Sequence, residues 1–227
     1  MLNVIYEDNH IIVAIKPQNV PSQEDDSRDL DMLTMVKAYV KEKYNKPGNV
    51  YIGLVHRLDR PTGGLMVFAR TSKSAERLSK QIREKTFKKY YLTIVEGVPK
   101  ENKAVLINYL KKDEKENKVK VVSSLEVGAK DAKLEYTTLS NYNNNLSLLK
   151  VELFTGRSHQ IRVQLSNIGN PIVGDLKYGT NSKLSKNLCL WAYKIEFEHP
   201  TLNKLMQFCY NPPMNEVPWS YFKVETF

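Results

Sequence analysis

Cysteine is scarce: Cys189 and Cys209, twenty positions apart, are the two in 227 residues. That count excludes a disulfide scaffold and the paired C-x-x-C spacing of a zinc site. Both are expected to be reduced and structural. The four histidines, His10, His56, His159 and His199, form no H-x-x-x-H pair, so a metal centre has no support. Long apolar runs are missing too, since no window approaches the roughly 18 uninterrupted apolar residues of a membrane-spanning helix. The opening MLNVIYEDNHIIVAIKP carries Glu7 where a signal peptide would carry its basic region, so a cytoplasmic protein is expected. No internal repeat is present. A composition 41% hydrophobic and 26% charged excludes a mainly disordered chain, a collagen-like repeat or a coiled coil. At about 150 residues per domain the length lies between one and two domains, and a single domain spanning 1–227 is the simplest expectation.

Charge is unevenly spread. The net +9 names no partner, but residues 56–89 hold ten basic side chains against Asp59, Glu76 and Glu84, a net of +7. Between Glu24 and Asp31, five acids face Arg28 alone. Such asymmetry suits a polyanion-binding face, with a solvated basic helix as the plain alternative.

Val4–Tyr6 and Ile11–Ile15 are β-rich runs flanking the turn signal Asp8-Asn9, and the second stops at Lys16-Pro17 because proline cannot donate to a ladder. A hairpin is predicted. Leu33, Val36, Val40 and Tyr44 then repeat at helical spacing behind the candidate caps Asp29 and Asp31. Val50–Val55 and Leu65–Ala69 read as strands, and Thr71-Ser72 caps a basic helix whose buried stripe is Ala75, Leu78 and Ile82. Tyr90–Val95 returns to β character. Residues 104–154 predict antiparallel strands with turns at 111–118 and 141–145, the first a lysine-rich, solvated hairpin tip. Ser158 is placed to cap a helix with Ile161, Leu165 and Ile168 on its apolar face, ended by Gly169 and Pro171. From Leu188 to Val224, β-rich runs alternate with proline-containing breaks. Strands mixed irregularly with three helices indicate an α+β fold with a mixed, largely antiparallel sheet flanked by helices and loops.

Two segments carry candidate chemistry. Val55-His56-Arg57-Leu58-Asp59-Arg60-Pro61-Thr62-Gly63-Gly64-Leu65 leaves an apolar strand for a turn and places Asp59 at the strand end. If the chain stays extended, Arg57 and Asp59 point one way while His56 and Leu58 point the other. A carboxylate beside Arg57 and Arg60 is held ionised, and a positioned carboxylate can act as nucleophile or electrostatic stabiliser. Gly156-Arg157-Ser158-His159-Gln160-Ile161-Arg162-Val163-Gln164-Leu165 opens a helix with donors suited to phosphate or carboxylate, and a glycine-rich loop, Gly169 to Gly179, follows.

Together these segments resemble the RluA-like family of pseudouridine synthases. The family pattern H-R-L-D-x-x-T-S-G-L is similar to His56–Leu65, with Gly63 where serine is usual. G-R-T-H-Q-I-R-V-H-L is similar to Gly156–Leu165, with Ser158 for threonine and Gln164 for histidine, and G-x-P-I-x-G-D-x-x-Y-G follows in both. Tyr6-Glu7-Asp8, Val13–Pro17, Leu190-Trp191-Ala192 and His199-Pro200 extend the resemblance over nearly the whole chain, though Trp191 replaces a common histidine.

The resemblance implies isomerisation of uridine to pseudouridine in RNA, ribosomal or transfer, without cofactor or metal. It places Asp59 at the catalytic aspartate, Arg162 as its paired arginine, and Tyr91 as the tyrosine that packs on the target base. Tyr91 is chosen by its place six residues before Gly97, and a shift of one would select Tyr90. An extruded base needs such a stacking surface. Arg57, Arg60, Thr62, Lys89, Arg157, His159 and Gln160, from the same motifs, are assigned to substrate contacts. Attack on the sugar and a glycal route both remain open. Many relatives begin with a small RNA-binding domain, whereas here the catalytic-type sequence starts almost at residue 1. RNA affinity is therefore expected from the domain itself, through the basic residues of 57–89, with the protein a monomer. The rival from another class is a non-catalytic RNA-binding or assembly factor that kept the fold. A glycosidase that frees uracil is the second rival, and the matched motifs lack the second carboxylate a hydrolase uses to activate water.

Overall fold

The computed structural model describes residues 2–179 and 184–223. The chain divides into two compact units, Met1–Lys88 with Lys194–Tyr210, and Lys89–Tyr193 with Asn211–Phe227. The elements are α+β, with three α-helices and antiparallel pairing in each ladder described below.

In the first unit, β1 (Asn3–Glu7) and β2 (Ile11–Lys16) form the predicted hairpin. Asp8 builds its turn: one carboxylate oxygen accepts the amides of His10 and Ile11 at 2.7 and 2.8 Å. Helix α1 (Met32–Lys43) starts at Asp31, whose side chain accepts the Thr34 amide, and buries Met32, Val36 and Val40. The expected strand over Val50–Val55 shrinks to β3 (Gly53–Leu54), which pairs with β4 (Gly63–Ala69). Side chains replace the missing ladder. His56 Nε2 accepts the Val67 amide of β4 at 3.0 Å, and the Ser22 hydroxyl accepts from the Leu58 amide and donates to its carbonyl. Strand β4 runs along β2 from Ile11↔Ala69 to Lys16↔Gly64, and both strands are buried throughout. Gly53 permits close approach here, since a Cβ would lie 2.8 Å from that of Ala75. Ala75 belongs to α2 (Ser72–Arg83), capped by Thr71 as predicted. Leu78 is its buried centre, whereas Ala75 and Ile82 are only half-buried.

In the second unit, antiparallel strands run in the order β5 (Lys88–Glu96), β9 (Leu146–Leu153), β8 (Lys130–Tyr142), β6 (Lys103–Asp113), β7 (Lys118–Val122). Both predicted turns are present: Asp113 accepts the amides of Lys115 and Glu116, and Asn143 and Asn144 take positive φ before β9. Helix α3 (Gln160–Asn167) does not start at Ser158. Its N-cap is His159 in the left-handed region, with no side-chain cap, because Gln160 and Thr155 organise the preceding loop instead. Ile161 and Leu165 are buried as expected, but Ile168 stands 37% exposed at the helix end. Strand β10 (Leu190–Glu198) supplies Lys194–Glu198 to the first unit, where they pair with β11 (Leu205–Cys209). Val224, the end of the predicted β-rich stretch, lies outside the described residues. Cys189 is buried, but Cys209 is exposed on a strand whose side chains alternate outward, so only the former is structural.

Candidate active site

The first unit presents Asp59 on a turn rather than on a strand. The Thr62 amide donates to the Asp59 carbonyl at 2.9 Å, and β4 begins at Gly63. Alternation persists up to the turn: Leu58 is buried, Asp59 half-buried and Arg57 exposed. Thr62 is buried, and its hydroxyl has no hydrogen-bond partner among the described residues. Arg60 is engaged by the acidic loop, ion-paired with Asp29 and, at 3.7 Å, with Asp25, and it donates to the Ser27 hydroxyl. A phosphate at Arg60 therefore competes with two carboxylates.

Lys16 is the residue that sequence reasoning missed here. Its side chain is wholly buried, and Nζ donates to the carbonyls of Pro17 and Arg60, both at 2.9 Å. Burial pulls its pKa down to about 7, against the Asp59 charge, which pulls upward, while Arg60 adds to the fall. Together with Ser22 on Leu58, Lys16 fixes both sides of Asp59 through backbone carbonyls. The Lys16-Pro17 pair signals only a strand end in sequence.

In the second unit, Lys89 and Tyr91 lie two apart on β5 and share a face, opposite Tyr90. Tyr91 is 5% exposed. Burial lowers the pKa of Lys89, whose Nζ lies beside Gly156.

Arg162 is buried on α3 and forms a fork with Asp175, Nε and one terminal nitrogen each donating at 2.8 Å. Burial alone would raise the Asp175 carboxyl. The Arg162 hydrogen bonds and charge, with the amides of Lys177 and Tyr178, overcome it and hold the group below its ordinary range. The Tyr178 ring lies 5.2 Å from the Arg162 guanidinium carbon. Its hydroxyl accepts the Val119 amide and forms a hydrogen bond of 2.8 Å with His159 Nδ1. Gln160 ties the loop: its carbonyl accepts from the Thr155 hydroxyl and the Arg157 amide, and its amide donates to Lys133. Arg157 itself pairs with Asp131. Asp175 and Tyr178 stand in the glycine-rich loop already noted in sequence, but nothing there marked the carboxylate as the anchor of Arg162.

The predicted residues thus fall into two sets. Arg57, Asp59, Arg60 and Thr62 share one turn of the first unit, and Lys89, Tyr91, Arg157, His159, Gln160 and Arg162 belong to the second. Among the described residues, no group of three or more His, Cys, Asp or Glu could hold a metal ion.

The family model for RNA pseudouridylate synthase matches residues 10–167, a stretch that contains both sets. The chain belongs to this family. Its members are isomerases that act on uridine in RNA, and its fold is theirs. The dual-specificity RNA pseudouridine synthase RluA of Pasteurella multocida is 33% identical over 216 residues, covering 93% of each chain. The Haemophilus influenzae protein of the same name is 35% identical over 213 residues, covering 91% of each. An uncharacterized RNA pseudouridine synthase of Bacillus subtilis, YhcT, is 33% identical over 90% of this chain and 67% of its own. The chain spans about two thirds of the length of that protein and of a Helicobacter pylori relative matched over 65% of its length. Among solved structures, human RNA pseudouridylate synthase domain containing 4 superposes with a TM-score of 0.78 at 23% identity, over 96% of this chain and 90% of that one, which speaks to the fold. No described helix is long and apolar enough to cross a membrane.

Proposed function

We propose that the protein converts specific uridines of ribosomal or transfer RNA to pseudouridine, with Asp59 as the catalytic carboxylate and the two units acting as one catalytic domain. The observation that carries this is the Asp59 turn. In the family-matched His56–Leu65 segment, the backbone on both sides of the half-buried Asp59 is held, Arg60 by Lys16 and Leu58 by Ser22. Catalytic groups gain from such pre-set geometry, because the ordering cost is met before substrate arrives.

In the proposed reaction the bond between the anomeric carbon and uracil N1 breaks, assisted by the Asp59 carboxylate at the sugar. Uracil turns while held, its carbon five bonds to the anomeric carbon, the proton on carbon five leaves to solvent, and N1, freed from the sugar, takes up a proton from solvent. Tyr91 supplies the stacking surface for the extruded base. Arg162, carried over as the aspartate's partner, is already oriented by Asp175, and a guanidinium has five N–H donors, more than that fork consumes. Lys89, Arg157, His159, Gln160, Arg57, Arg60 and Thr62 are proposed substrate contacts, with Arg60 the weakest candidate because of Asp25 and Asp29. The protein is proposed to work as a monomer in the cytoplasm and without a cofactor.

The test is incubation with RNA tritiated at carbon five of uridine. Tritium release without free uracil is the expected result. Free uracil would indicate a glycosidase, and binding without tritium release a non-catalytic factor.

A further inference from the structure

The acidic loop of the first unit reaches both neighbours of Asp59. Its base is tied down: the Met32 amide donates to the Pro21 carbonyl at 2.9 Å, closing the ends of segment 21–32, and Ser22 holds the backbone of Leu58. Beyond that base residues 23–30 are all exposed, and the loop ends its reach on the side chain of Arg60. Ser27 is the hub of the contact. Its hydroxyl donates to Asp25 and accepts from the Asp29 amide at 3.2 Å and from one terminal nitrogen of Arg60 at 2.9 Å. The other terminal nitrogen meets Asp29, while Asp25 stands 3.7 Å from the first.

Two carboxylates and a hydroxyl around a guanidinium present oxygens much as a phosphate does. Both carboxylates stay charged. The Arg60 hydrogen bond, with one from Ser27, holds the Asp29 carboxyl below its ordinary range, and the Ser27 hydroxyl and amide do the same for Asp25. The contact can nevertheless exchange, because the side chains of Arg60, Asp25 and Asp29 are between 42% and 54% exposed. An ion pair so exposed shifts an equilibrium by about fivefold at most. Arg60 also fills the first open position of the motif H-R-L-D-x-x-T, so the motif itself does not prescribe this contact.

We propose that the acidic loop is an autoinhibitory strap: Asp25 and Asp29 occupy Arg60 in the free protein, and a phosphate of the incoming RNA backbone displaces them to reach it. A ligand that brings a phosphate but few further contacts does not offset the exchange, and the strap stays closed beside Asp59. Substrate RNA, with contacts elsewhere, opens it. The proposal rests on the reading that the protein acts on RNA at Asp59.

The experiment measures binding of a fluorescein-labelled, uridine-containing hairpin RNA by anisotropy. Asp25→Asn combined with Asp29→Asn keeps side-chain oxygens for the loop's own hydrogen bonds and removes the charges that hold Arg60. Affinity rises roughly two- to fivefold. Most of that gain is absent in an Arg60→Gln background, where the substitutions no longer free a guanidinium. Glu24→Gln combined with Asp26→Asn removes the same charge from the same exposed stretch without touching Arg60's partners, and raises affinity less. Equal gains with and without Arg60, or equal gains from the two pairs, mean general repulsion of a polyanion and overturn the strap, as does no gain at all. Tritium release tests the underlying reading separately: a wild-type protein that binds this RNA and releases no tritium overturns the isomerase reading, while the affinities still decide the strap.

Discussion

Asp59 stands on a turn whose support is made of buried polar atoms, and Lys16 is the most demanding of them. A lysine with no exposed surface loses hydration, which is why its pKa falls to about 7 from 10.5. The unfolded chain binds the proton more tightly across that interval, so wild-type stability rises with pH from about 7 toward 10.5. In Lys16→Met this component of the pH dependence disappears. Urea unfolding at several pH values from about 7 to about 9 checks it, and parallel curves for the two proteins would contradict it. Asp175 and Arg162 form the second buried group. Asp175→Asn removes the buried charge that the Arg162 fork binds and is expected to cost about 3–5 kcal/mol by urea unfolding. Combining it with Arg162→Gln should cost less than the two single changes summed, because they share one interaction. Neither anchor was legible in sequence. Asp59 and Arg162 stand in motifs that name them, but Lys16 donates to a carbonyl 44 residues away and Asp175 accepts from a helix 13 residues upstream. Such partners belong to the folded chain.

At the scale of the element, β5 sets two adjacent tyrosines on opposite faces. Side chains alternate on a strand, so Lys89 and Tyr91 share one face while Tyr90 takes the other. Tyr91→Phe should bind RNA and turn over poorly, and Tyr90→Phe should retain turnover. Steady-state tritium release from both variants tests this, and the reverse pattern would move the active-site tyrosine to position 90. Helices and hairpins announced themselves through apolar spacing and caps, as with Asp31 and Thr71. The start of α3 did not. Serine is a common cap, so Ser158 was the natural choice, but Gln160 folds back to accept the Arg157 amide and moves the boundary to His159. Gln160→Ala should therefore loosen the Thr155–Arg157 loop and lower activity more than stability, read as kcat against the urea midpoint. The short β3 has a similar cause: His56 and Ser22 take the backbone partners that a longer strand would have used, a substitution that no propensity scale records.

For the whole molecule, the net charge of +9 and its concentration in residues 56–89 imply salt-sensitive RNA binding, whereas selection of the uridine depends on contacts to the base. Part of the basic excess is consumed internally, Arg60 by the acidic loop and Arg77 by Pro200, so the salt slope should fall short of what a count of ten cations suggests. The family match runs through both units, and the proposed chemistry draws Asp59 from one and Tyr91 and Arg162 from the other. That division of labour rests on Asp59 acting through an ionised oxygen. The decisive measurement is tritium release by Asp59→Asn at RNA concentrations that saturate binding, with affinity measured on the same preparation. The amide is nearly isosteric, so the account predicts wild-type-like RNA binding with isomerisation abolished. Turnover near wild type in the purified variant would contradict it.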